Sequence, residues 1–135
     1  MEVERVAAIS TFAGLPENDL AALARVAFDR ELLPGEVLVA EGDFGHALFV
    51  IETGTAEILK GEAAVDQVGP GDIIGEMAVL SSGRRVASVR AITPMRLVCL
   101  FKRDVWALDR HAPAAAQRLL SALDEHRVLR GLDPA

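Results

Sequence analysis

The residues of this 135-residue chain that could do chemistry concentrate between Gly69 and Ile92, GPGDIIGEMAVLSSGRRVASVRAI. The stretch reads as a tight turn, a short apolar step, one exposed helical turn beginning at Gly75-Glu76, a polar loop and a strand. Glycine at 75 lets a ligand approach the backbone with no Cβ in the way. The free N–H groups opening the Glu76–Leu80 turn suit an anion. An arginine arriving from the loop can add a charge-assisted fork to phosphate oxygens. A carboxylate beside it only accepts hydrogen bonds, so Glu76 suits a sugar hydroxyl rather than a phosphate. Alone, Glu76 is a first-turn acid complementing a helix dipole and Arg85 a solvated loop charge. Together with Gly75 they describe a site for a phosphorylated sugar.

The surrounding elements must position that site. Val3, Val6, Ala7 and Ile9 approximate helical spacing, and a second helix follows Pro16 with an apolar stripe at Leu20, Leu23, Ala24 and Ala27. From Phe28 to Phe101 short apolar runs alternate with glycine-bearing turns at 34–36, 41–43, 53–55, 60–62, 69–72 and with Thr93-Pro94. The predicted strands are Val37–Ala40, Ala47–Glu52, Ala56–Leu59, Ala63–Val68, Val86–Ile92 and Arg96–Phe101, packed too closely for βαβ units and suited to a sandwich or barrel. A short helix from Asp104 to about His111 follows, and then a longer one with Ala116, Leu119, Leu120 and Leu123 on one face. Trp106 is expected to pack the terminal helix onto the barrel. One domain is expected over 1–135: N-terminal helices to 27, a β region over 28–101 and C-terminal helices over 103–131.

Composition narrows the function. Apolar residues make up 51% and charged ones 25%, as in an ordinary globular protein, and the formal net charge of −6 argues against a surface built for a nucleic-acid backbone. The single Cys99 allows no internal disulfide and fits a strand core. Neither a signal peptide nor an apolar run long enough to span a membrane is evident, so a cytoplasmic chain without membrane insertion is expected. His46, His111 and His126 lie too far apart for a metal motif. Ser81, Ser82 and Ser88 read as loop and strand residues rather than nucleophiles. No catalytic residue and no metal or cofactor site is expected, so the chain reads as a non-enzyme.

The stretch resembles the phosphate-binding cassette of the cyclic-nucleotide-binding domain family. Ile74-Gly75-Glu76-Met77-Ala78-Val79 fits its first half and Arg85-Val86-Ala87-Ser88-Val89 its second, a register that selects Arg85 over Arg84. The turns Pro34-Gly35-Glu36, Glu41-Gly42-Asp43, Gly54 after Leu48-Phe49-Val50-Ile51, and Gly69-Pro70-Gly71-Asp72 resemble the family's turns in order, so the likeness covers about residues 10 to 127. It implies a mainly β fold with flanking α: an antiparallel, jelly-roll-like β-roll holding the cassette at 74–89, with N-terminal helices and two C-terminal ones. It further implies that Glu76 takes the ribose 2′-hydroxyl and Arg85 the cyclic phosphate. Backbone groups at Gly75, Met77, Ala78 and Val86, beside Ala87, complete the cradle, and the last helix closes over the purine through Leu123 or Arg127.

Val86 departs from the family's small residue after the arginine. It offers no hydroxyl to a phosphate or a guanine edge, which favours cAMP over cGMP as the ligand. The implied role is a sensor whose C-terminal helix moves to signal to an effector protein or domain. Members that read DNA append a helix-turn-helix after this helix; few residues follow Gly131 here, so direct DNA binding is not expected. The alternative is a ligand-free domain of the same fold used for docking or homodimerisation.

Overall fold

The computed structural model describes residues 1–42, 47–74 and 87–130, with 122–130 as helical backbone alone. Among the described residues, eight strands follow two short N-terminal helices: β1 Phe28–Leu32, β2 Val37–Val39, β3 Ala47–Thr53, β4 Ala56–Lys60, β5 Ala63–Val68, β6 Ile73–Ile74, β7 Ser88–Ala91 and β8 Met95–Phe101. They form two antiparallel four-stranded sheets, ordered β1-β8-β3-β6 and β2-β7-β4-β5. The sheets do not close into a barrel; they form the jelly-roll-like β-roll. Helix α1 (Val3–Ala7), a 3-10 turn (Ser10–Phe12), α2 (Glu17–Val26), α3 (Lys102–His111) and α4 (Pro113–Arg130) are the helices among the described residues.

The first sheet is covered on both faces, which is why its two central strands read as continuous apolar runs rather than alternating ones. In β3, Leu48 and Val50 join the helices, whereas Ala47, Phe49 and Ile51 line the interior of the roll. In β8, Val98 and Leu100 face the helices, and Met95, Leu97 and Cys99 face inward. Burial pushes the Cys99 thiol up to about 12, so it is a neutral core group. At the outer edge of the second sheet, β5 shows Val65 52% exposed and its first five residues outside the buried class, consistent with an edge strand.

Four features differ from the expectation. Phe28–Leu32 is a strand paired with β8, and with only Leu32 buried it shows no apolar alternation to read. Ile73–Ile74 is a true strand, pairing with Val50 and Phe49, though its two residues give no periodicity to read. Trp106 does not pack the terminal helix: α3 buries Val105 and Leu108, and at 100° per residue Trp106 turns outward to 62% exposure. Leu120 likewise lies off the face made by Ala115, Ala116 and Leu119, and it is 46% exposed.

Helix α1 is fastened to the first sheet by charge. Arg5 donates from Nε and Nη2 to Glu52 (2.9 and 2.7 Å) and from Nη2 to Asp29 (2.7 Å). The Arg5 hydrogen bond, reinforced by its charge, outweighs burial and holds the Asp29 carboxyl below its ordinary 3.8. The folded value lies below the unfolded one, so this stabilisation is present above about pH 4 and lost as pH falls through the folded value. Urea titrations at a series of pH values are expected to show Arg5→Ala flattening the acid limb, by about 1 kcal/mol or less for so exposed a pair. An acid limb as steep as the wild type's would show that Arg5 does not set it.

Candidate functional site

Residues 75–86 connect β6, at the edge of the first sheet, to β7, which lies between β2 and β4 in the second. The segment therefore crosses from one sheet to the other. Gly75, Glu76, Met77, Ala78, Arg85 and Val86 lie outside the described residues. Its two roots do not: Ile74 and Ala87 are both buried in the roll interior, in one cluster with Phe49, Ile51, Leu97 and Cys99. Of the proposed binding residues, Ala87 alone is described, and its methyl group is part of that core.

The turn before the segment is held on three sides. Asp72 accepts from the Gly69 N–H at 2.8 Å, and its own N–H returns to the Gly69 carbonyl at 3.0 Å. The Gly71 N–H donates to the Ile51 carbonyl at 2.8 Å, and the Ile51 N–H donates to the Asp72 carbonyl at 3.0 Å. The Thr11 hydroxyl donates to the Gly71 carbonyl at 2.6 Å, tying the turn to the 3-10 segment. Gly71 has φ +89°, and a Cβ there would lie 2.4 Å from Ser10 Oγ, so the position calls for glycine.

On the far side, Ser88 Oγ accepts from the Glu41 N–H at 2.8 Å, and Glu41 Oε1 accepts from the Gly61 N–H at 2.9 Å. Arg90 and Glu57 form a cross-strand ion pair between β7 and β4. Ser88 thus ties β7 to the turn at Glu41, whose carboxylate in turn holds the turn at Gly61.

Helix α4 is fastened to the same 3-10 segment. Arg118 Nη1 donates to the carbonyls of Ala13 (2.7 Å) and Thr11 (3.2 Å). Asp19, buried on α2, accepts from the Ala115 N–H at 3.0 Å and so caps the α4 N-terminus from 96 residues away. Leu119 is fully buried. The backbone at Leu123 and Arg127 is helical, and their side chains lie outside the described residues.

The sequence reading did not single out Thr11, Arg118 or the second role of Asp19. Asp19 has a local explanation as a first-turn acid of α2, which hides its use by a distant helix. Among the described residues no three His, Cys, Asp or Glu side chains gather to hold a metal, and no helix is long and apolar enough to cross a membrane.

Comparison with known proteins agrees with this architecture. The family model described as "Cyclic nucleotide-binding domain" matches residues 29–111. The Cyclic AMP receptor protein of Thermus thermophilus is 35% identical over 107 residues, covering 75% of this chain and 50% of that protein. A cAMP-dependent protein kinase regulatory subunit of Hypocrea atroviridis is 38% identical over 73 residues, covering 54% of this chain and 16% of that protein. The chain thus spans half the length of the first relative and a smaller part of the second. The crystal structure of the Thermus thermophilus Catabolite Activator Protein superposes with a TM-score of 0.76 at 28% identity, over 90% of this chain and 60% of that one. With the family match spanning more than half its length, and with two sheets and flanking helices arranged as a β-roll, the chain belongs to the cyclic nucleotide-binding domain family.

Proposed function

We propose that the chain is a non-catalytic cyclic-nucleotide sensor, with cAMP as its preferred ligand. The observation that carries this reading is the register of Gly75, Glu76, Arg85 and Ala87 on a segment whose two ends are rooted in one core. Arg85 takes the cyclic phosphate as a charge-assisted fork, and Glu76 accepts from the ribose 2′-hydroxyl. N–H groups at Gly75, Met77, Ala78 and Val86 complete the cradle. Two relatives carry cAMP in their names, a receptor protein and a kinase regulatory subunit, which supports the choice of ligand. Val86 supplies no hydroxyl for a guanine edge, which points the same way.

A sensor without chemistry acts through unequal affinity for two conformations. Here the output is movement of α4, whose side chains at Leu123 or Arg127 close over the purine, and an effector protein or domain receives it. No catalytic, metal or cofactor role is assigned to any residue.

Calorimetric titration with cAMP and cGMP tests the reading. Wild type is expected to bind cAMP saturably and more tightly than cGMP. Loss of a charged hydrogen bond of about 1.5–3 kcal/mol in Arg85→Ala should weaken binding about ten- to hundredfold. Absence of binding by folded wild type would overturn the sensor reading in favour of a ligand-free docking or dimerisation domain.

A further inference from the structure

Between α2 and α3 the structure leaves an open groove of about 240 Å³. Ala22 and Val26 of α2 and Ala107 and Leu108 of α3 give it apolar walls. Ala22 and Leu108 belong to the core beneath, Val26 is half-buried against that core, and Ala107 is exposed. Apolar surface thus runs from the core out to solvent.

The two walls carry charges of opposite sign. Arg25 stands on α2 and is exposed, and Asp104 stands on α3 and is half-buried. His111, two turns on from Asp104, lies on the same wall. On the sheets, opposite charges pair within the chain: Arg5 with Asp29 and Glu52, Arg90 with Glu57, and Arg96 with Glu31. Neither the Arg25 nor the Asp104 side chain has a hydrogen-bond or ion-pair partner among the described residues. Each suits its own helix end, the arginine in the last turn of α2 and the aspartate in the first of α3. The dipoles explain which sign stands on which wall. They do not explain an apolar groove left open between two uncommitted charges.

We propose that this groove is the contact surface for a second copy of the chain, related by a two-fold axis. With the axis lying along the groove, α2 of each copy covers α3 of the other. Arg25 of each copy then meets Asp104 of the other, so one contact forms two ion pairs and closes on itself. Arginine suits this exchange: its apolar stem lies along the alanine and valine of the groove while its planar fork meets a carboxylate. A wholly acidic segment would face Asp104 and a wholly basic one Arg25, so either leaves one wall opposed. A second copy supplies both signs in the order required. The net charge of −6 on each copy acts only at short range, because charges farther apart than about 8 Å are largely screened at physiological salt. The proposal does not depend on nucleotide binding.

Sedimentation equilibrium at physiological salt tests it, up to about 1 mM protein because so small an interface is weak. Wild type is expected to approach a dimer as its concentration rises. Arg25→Glu and Asp104→Arg should each weaken self-association about a hundredfold or more, since every contact then holds two like-charge pairs. Mixed in equal amounts, the two variants should associate again, because each offers the charges the other now needs. That recovery also shows that both variants fold. Three results would overturn the proposal: wild type monomeric throughout, association unchanged by either reversal, or no recovery on mixing.

Discussion

Gly54→Ala is expected to destabilise the protein by about 2–5 kcal/mol, the sum of backbone strain and overpacking. Gly54 sits where the chain leaves β3 in the first sheet for β4 in the second, at φ +92°. An added Cβ would lie 2.3 Å from the Pro94 carbonyl oxygen and 2.9 Å from Met95 Cα, and backbone atoms cannot swing aside as a side chain can. The two turns are also interlocked. The Thr55 N–H donates to Thr93 Oγ1 at 2.9 Å, and the Thr55 carbonyl accepts from the N–H groups of Ile92 and Thr93. Relief of the clash would therefore disturb four strands at once. Gly61→Ala is the control: φ is +62° there and a Cβ would meet nothing within 4 Å, so only the left-handed strain of about 1–2 kcal/mol remains. Urea unfolding of both variants checks the difference. Equal midpoints would mean that the 53–55 and 92–95 turns separate easily.

Much of this architecture is legible in the sequence, for reasons visible at particular residues. The runs Ala47–Ile51 and Leu97–Leu100 are apolar at every position because each strand is sandwiched between the helices and the interior of the roll. The glycine turns mark where strands end because Gly35, Gly42, Gly54, Gly61 and Gly71 all adopt positive φ. The family's cassette pattern identifies the candidate site, since its residues are close in sequence. What escapes is too exposed, too short or too distant: β1 has only Leu32 buried, so it carries no apolar alternation. β6 has two residues, below any period. The cap that Asp19 gives α4, and the Thr11–Gly71 and Arg118–Ala13 bonds, each join residues at least 60 positions apart. Trp106 misleads because a large aromatic residue ordinarily argues for burial, and here the α3 face leaves it outside.

Leu119→Ala is expected to weaken the docking of α4 by about 2–5 kcal/mol, the usual cost of emptying a fully buried leucine site. Leu119 belongs to the buried cluster on the helix side of the first sheet, with Phe12, Leu23, Val105, Leu108 and Ala115. The other attachments of α4 are the Asp19 cap and the two Arg118 bonds to the 3-10 segment, each worth about 1 kcal/mol as a hydrogen bond. They are too few to replace the lost packing. The roll interior keeps its own cluster of buried residues, to which Leu119 does not belong. Opening should therefore be local, in the manner of a low-stability unit. Hydrogen exchange is expected to speed up at residues 115–121 by about thirtyfold or more, at tenfold per 1.4 kcal/mol, with β4 and β7 amides little changed. Leu120→Ala, at an exposed position one residue on, should stay within about 0.5 kcal/mol of wild type. If β4 and β7 lost protection equally with α4, helix and roll would be one cooperative unit. A C-terminal helix able to move without unfolding the roll would then be ruled out.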